Sequence, residues 1–349
     1  MNYLTEKAKQ LTPYVAGIQP RETGWIKLNT NENPYPPSPK VADALAKAGT
    51  NALRLYPDSD SNILRDTIAN RLSISAENIF CANGSDEVLA LAYQAFFSGK
   101  ENILTPDISY AFYPVWSQMY DVSTTLLPLD DNFVINIDQY KNGNGVIIAN
   151  PNAPTGLALT LRQIEQIVQN NPNGVVLIDE AYIDFAGAEI ESAVPLVAKY
   201  DNLLVVQTMS KSYSLAGLRV GFGVGSKAII DGLQRLKNAF NPYPLGWLEQ
   251  NAAVAAFRDI EYWDATRQKV IATRDKTIHD LRELGYRVED SHTNFLFIQS
   301  SNAKALYEHL LKNKILARYW EKPRLSEYLR ISIGTDREME ALVQWIKQL

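Results

Sequence analysis

Between residues 79 and 225, short apolar runs rich in β-branched residues recur, at 79–82, 103–105, 122–127, 146–149, 175–178, 203–206 and 220–225. They are of strand length and mostly unbroken by polar residues, as in strands covered on both faces. Helical patterns separate most of them, so the chain is expected to build an α/β fold around a mostly parallel sheet. Ligands in such sheets sit beyond the carboxyl ends of the strands. Asn152, the pair Asp179 and Tyr182, and Lys211 all fall at predicted strand exits.

The lysine exit is the most heavily equipped. Thr208-Met209-Ser210-Lys211-Ser212-Tyr213-Ser214 runs on to Leu218-Arg219, placing one amine among hydroxyls with a guanidinium close behind. An amine forms an imine with a carbonyl, and the other groups hold an anion beside it. Taken alone, the stretch also reads as a serine-rich loop with a surface lysine, since short motifs have many chance matches. Another exit, Asn83-Gly84-Ser85-Asp86-Glu87, opens a helix whose unpaired N–H groups suit an anion. Asp86 and Glu87 there equally suit plain capping.

Residues 1–37 read as an irregular arm, because the prolines and asparagines of 28–37 make neither helix interior nor good strand. Residues 38–260 are expected to form a large domain, and a long helical segment over 262–284 leads into a small α+β domain spanning 261–349. Its predicted strands lie at 286–288, 294–298, 315–318 and 329–333, with helices at 302–312 and 336–347. At 349 residues, one large and one smaller domain is the natural division.

Composition excludes several classes of function. A hydrophobic content of 46% and a net charge of -5 suit a soluble globular protein with no footprint for nucleic acid or acidic membranes. The single cysteine, Cys81, precludes an internal disulfide and fits a reducing compartment. The N-terminal stretch has no apolar core and no later run approaches membrane-spanning length, so a cytoplasmic location is expected. His279, His292 and His309 lie outside the motifs, and no metal site is expected.

Read in order, Leu11-Thr12-Pro13-Tyr14, Asn31-Glu32-Asn33-Pro34-Tyr35, Asn150-Pro151-Asn152-Ala153-Pro154-Thr155-Gly156, Asp179-Glu180-Ala181-Tyr182, the lysine motif and Leu329-Arg330-Ile331-Ser332-Ile333-Gly334-Thr335 carry a resemblance. Over essentially the whole chain they resemble the fold-type-I aminotransferases that use pyridoxal 5'-phosphate (PLP), and within them the histidinol-phosphate aminotransferases. That resemblance implies a three-layer PLP-binding large domain, a small domain joined by the arm, and a homodimer.

It also implies roles for residues. Lys211 would hold PLP as a Schiff base and then shuttle a proton, Asp179 would keep the ring nitrogen protonated, and Tyr110 would stack on the ring. Asn152 and Tyr182 would bind the ring oxygen. The Ser85 and Asp86 backbone at the helix start, with Thr208, Ser210 and Arg219, would hold the phosphate, with Tyr56 reaching across the dimer to the neighbouring site. Arg330 would grip a substrate carboxylate, and Tyr14, Asn33 and Arg318 would contribute to the histidinol phosphate site. Arg324 remains an alternative to Arg318.

The implied reaction is amino transfer between L-histidinol phosphate and 2-oxoglutarate, a step of histidine biosynthesis. An aromatic amino-acid aminotransferase or a threonine-phosphate decarboxylase would keep Lys211, Asp179 and Arg219 and stays open. A nucleotide-dependent oxidoreductase does not, because Ser226-Lys227 supplies no third glycine after Gly221-Phe222-Gly223-Val224-Gly225. A PLP-binding regulator would need a DNA-binding module for which there are no spare residues.

Overall fold

The computed structural model describes residues 3–14, 17–47 and 49–348. β1 (Ile26–Lys27) lies in the arm. β2 (Ile79–Asn83), β3 (Ile103–Pro106), β4 (Thr124–Leu127), β5 (Gly145–Ala149), β6 (Val175–Asp179), β7 (Leu203–Thr208) and β8 (Val220–Gly225) follow. β9 (Arg287–Val288), β10 (Phe295–Gln299), β11 (Ile315–Leu316), β12 (Arg318–Tyr319) and β13 (Tyr328–Ser332) come last.

β2 to β8 form one sheet of seven strands in the order β2-β8-β7-β6-β5-β3-β4. Every neighbouring pair is parallel except those of β8, which runs against both β2 and β7. The reason is the connection. A parallel return needs a crossover, usually a helix, whereas the link from β7 to β8 holds no more than the short 3-10 turn Ala216–Leu218. The mostly parallel α/β fold is therefore as the apolar runs require, with one strand reversed.

Successive residues of a strand point to opposite faces. Val176 and Ile178 of β6 and Leu203 and Val205 of β7 enter the core on one face, and Leu177, Leu204 and Val206 enter the core on the other. Both faces are dry, which is why these runs are unbroken by polar residues. Truncating one of them, as in Ile178→Ala, is expected to cost about 2–5 kcal/mol.

The second sheet is antiparallel in the order β12-β13-β10-β9, and its apolar face packs on the 24-residue helix Ile260–Glu283 and on Asp336–Ile346. The predicted strand over 315–318 splits in two. Ile315 and Leu316 pair in parallel with Ile26 and Lys27 of the arm, whereas Arg318 and Tyr319 pair with β13. This stitches the arm to the second sheet and sets Arg318 directly across from Arg330. The arm also carries a short helix, Glu6–Gln10, capped by the Thr5 side chain, where irregular chain was expected.

Candidate active site

A cavity of about 220 Å³ opens where the exits of β6 and β7, the start of the helix Gly84–Ala92, the arm and β13 converge. Its walls include twelve of the predicted residues: Tyr14, Ser85, Asp86, Tyr110, Asp179 and Tyr182, with Thr208, Ser210, Lys211, Arg219, Arg318 and Arg330. Each expected strand exit thus contributes to one space.

At one end is an anion cup. The helix Gly84–Ala92 has no side-chain cap, and Glu87 bonds back to the Asn83 N–H at 2.6 Å, so the helix start is left facing the cavity. Arg219 sits in front of it, paired with Asp86 at 3.1 Å and donating to Ser210 Oγ at 3.4 Å. Thr208 donates to Ser210 Oγ at 3.0 Å. Two glycines permit this approach. A Cβ on Gly84, which has φ +78, would lie 2.5 Å from Arg219 Nη2, and one on Gly221 would run into the Ser85 nitrogen.

In the middle lie an acid and a base. Asp179 Oδ2 accepts from the Tyr113 hydroxyl at 3.0 Å and Oδ1 from the Ala181 N–H at 3.3 Å. Burial, helped by the Asp86 charge, pushes its carboxyl up to about 7 despite those bonds and the opposing charge of Lys211. Lys211 is shifted the other way, to about 8, by desolvation first and by the Arg330 charge second. Its Nζ lies 5.8 Å from the Tyr182 ring centre and 3.4 Å from the Thr30 carbonyl. Tyr110 hands its hydroxyl to Asp86 at 3.0 Å; it escapes the predicted helix, which starts at Tyr113 with Pro114 in its first turn.

At the far end two guanidiniums face each other across the β12–β13 ladder. Arg330 donates from Nη2 to the Asn29 carbonyl at 3.0 Å, its buried Nε has no hydrogen-bond partner among the described residues, and desolvation lowers its pKa. Like charges opposite one another oppose the pairing unless an anion joins them. Arg324, the alternative to Arg318, is occupied elsewhere: it pairs with Asp107 at 3.1 Å and donates to the Leu129 and Asp130 carbonyls.

Three expected residues are not on the cavity wall. Asn152 was expected at the ring oxygen, but its amide donates to the Ile108 carbonyl and Thr155 and accepts from Ser109; Ala153 lines the cavity in its stead. Asn33 was expected to touch substrate, but it donates to the Lys211 carbonyl at 3.0 Å and so tethers the arm to the lysine loop. Tyr56 is 79% exposed and stacks on Tyr243 at 4.6 Å, outside the cavity. Conversely, Asn29, Thr30, Asn31 and Glu32 all reach the wall, and the sequence marked their stretch without telling which side chains turn inward.

Among the described residues no His, Cys, Asp and Glu group could hold a metal ion, and no helix is long and apolar enough to cross a membrane. The family model "Aminotransferase class I and II" matches residues 23–346. A histidinol-phosphate aminotransferase of Brachyspira hyodysenteriae is 49% identical, over 100% of this chain and 99% of its own. A histidinol-phosphate aminotransferase of Sinorhizobium meliloti, solved with pyridoxal-5'-phosphate, superposes with a TM-score of 0.90 at 22% identity, covering 100% of this chain and 97% of that one. L-threonine-O-3-phosphate decarboxylase of Porphyromonas gingivalis superposes with a TM-score of 0.79 at 22% identity over 93% and 98% of the two chains, so the backbone shape alone does not choose between these chemistries. The sequence match covers the exits of β6 and β7, the helix start and the β13 arginine alike, and on it the chain belongs to the aminotransferase class I and II family.

Proposed function

We propose that this chain is a PLP-dependent transaminase acting on L-histidinol phosphate and 2-oxoglutarate in histidine biosynthesis, and that it works as a homodimer. The observation that carries the reading is Lys211: one amine, its pKa brought to about 8, stands between an anion cup and a pair of arginines. The residues fit PLP. An uncapped helix start beside Arg219 suits a phosphate, and a buried carboxylate with no salt-bridge partner among the described residues suits a protonated ring nitrogen.

When bound, PLP supplies an aldehyde that condenses with amines and a ring that draws electrons from the substrate α-carbon. The backbone N–H groups of Ser85 and Asp86, with Thr208, Ser210 and Arg219, would hold its phosphate. Asp179 would keep the ring nitrogen protonated and so gain a cation directly against its buried carboxylate. Tyr110 covers the ring face and Tyr182 gives a hydrogen bond to the ring oxygen. Lys211 Nζ serves as nucleophile and then holds and returns the proton of the α-carbon; a pKa near 8 leaves enough neutral amine for both.

Arg330 grips the 2-oxoglutarate carboxylate bidentately, and Arg318, Arg330 and Tyr14 take the histidinol phosphate headgroup. One cationic end thereby serves two different anions. The arm (1–37) closes this end with the small domain (261–349) against the large domain (38–260). Tyr56 completes the neighbouring subunit's phosphate cup, so the site needs two chains.

A single-turnover experiment tests this. PLP-loaded protein is mixed separately with L-histidinol phosphate, L-phenylalanine and L-threonine phosphate while its visible absorbance is followed. Conversion fastest with histidinol phosphate, and reversed by 2-oxoglutarate, is expected. Faster conversion with phenylalanine would move the chain to the aromatic branch, and carbon dioxide from threonine phosphate would overturn the reaction itself.

A further inference from the structure

Asn31 has no role in the chemistry above, yet every polar atom it carries is spoken for. It is 1% exposed, with φ 56, a left-handed conformation that asparagine tolerates. Its N–H donates to Ser332 Oγ at 2.8 Å, and its carbonyl accepts from Asn294 Nδ2 at 3.0 Å. Its side chain bridges Ser332 Oγ, at 3.0 Å from Oδ1, and the Tyr182 hydroxyl, at 2.9 Å from Nδ2.

The hydrogen-bond pattern sets the orientation of that amide. Ser332 Oγ accepts from the Asn31 N–H and gives its one hydrogen to Oδ1, and the NH₂ end faces Tyr182. Tyr182 therefore accepts from Asn31, and its own proton is left for the cavity that it lines. On the adjacent wall Ala153 presents a methyl, since the Asn152 amide is committed elsewhere.

We propose that Asn31 is a positioning residue, which with Ser332 fixes the Tyr182 phenol as a donor toward the ring oxygen of the cofactor. The arm, β13 and the loop after β6 meet in this chain, so the seating of the arm on the small sheet is felt at the cofactor. The inference rests on the PLP reading above.

The test reads the bound cofactor's spectrum, not turnover. A hydrogen bond donated to the anionic ring oxygen favours the proton-poor form and lowers the midpoint at which the visible band titrates. Asn31→Asp keeps the left-handed conformation and the bond from Ser332, but its carboxylate only accepts, so it draws the Tyr182 proton away from the cavity. The midpoint is expected to rise by about one pH unit, the worth of a hydrogen bond to a charged group. Ser332→Ala leaves Asn31 in place but frees its amide to turn over, and is expected to raise the midpoint by less.

The deciding measurement repeats Asn31→Asp in a Tyr182→Phe background. With no phenol to redirect, the second substitution is expected to move the midpoint by under about 0.3 unit. An equal rise in that background would mean a plain charge effect and overturn the proposal, as would no rise from either Asn31→Asp or Ser332→Ala when Tyr182→Phe alone gives one. If Tyr182→Phe alone shifts nothing, the role given to Tyr182 under the proposed function fails first, and the proposal with it. Absence of any visible band after loading the unsubstituted protein with PLP would overturn both.

Discussion

At the helix end of the cleft Arg219 is already paired with Asp86, whereas at the small-sheet end Arg330 has a buried Nε with no partner among the described residues and Arg318 directly across the ladder. The first end carries a compensated charge and a set of N–H groups whose direction the helix fixes, so it can keep one anion permanently at little electrostatic cost. The second holds cationic charge that burial penalises until an anion arrives. A site built this way retains its cofactor at one end and exchanges its substrates at the other, with Lys211 between them.

The largest test of that division removes the middle. Lys211→Ala is expected to lower kcat by about 10⁴-fold or more while the cup still binds PLP non-covalently, as checked by equilibrium dialysis beside steady-state assays. Near-normal turnover in that variant would end the proposed mechanism.

The two ends should then fail differently. Arg330→Lys is expected to raise the KM for 2-oxoglutarate by about 10²-fold with PLP affinity unchanged, because a point charge replaces a bidentate fork. Arg219→Lys is expected to weaken PLP retention by a similar factor and leave that KM almost untouched. If both variants change both quantities alike, the ends are not separate.

Loading of the apo-protein with PLP reports on the lysine itself. Neutral amine is the nucleophile, and a pKa lowered to about 8 means that it gains that form as pH rises through 8 and not through 10.5. The loading rate is expected to climb about tenfold from pH 7 to pH 9 and then level off. A rate still climbing steeply above pH 10 would show an unshifted lysine.

The smallest expected effect belongs to Tyr56. Tyr56→Phe should weaken PLP retention by about tenfold, the low end for one hydrogen bond to a charged group. When it is mixed with Lys211→Ala, subunit exchange should create one intact site per heterodimer. Recovered activity would extend the helix end across two chains; proven exchange without recovery would confine it to one.

The sequence by itself determined the sheet and the positions of the chemistry. Strand runs such as 175–178 and 203–206 are apolar throughout because both faces are covered, and that pattern is local. Asp179, Tyr182 and Lys211, read from the sequence as lying at strand exits, line the cavity, because a strand exit is a local property too. Tertiary structure decided which neighbours within a polar stretch turn inward. Ala153 lines the cavity beside Asn152, and Asn31 rather than Asn33 meets Tyr182, because amide direction in a turn is set by partners far away in the chain. Ser332, the residue that orients Asn31, is 301 positions distant. The reversal of β8 and the confrontation of Arg318 with Arg330 likewise depend on how strands pair, and single-strand patterns carry no record of their neighbours.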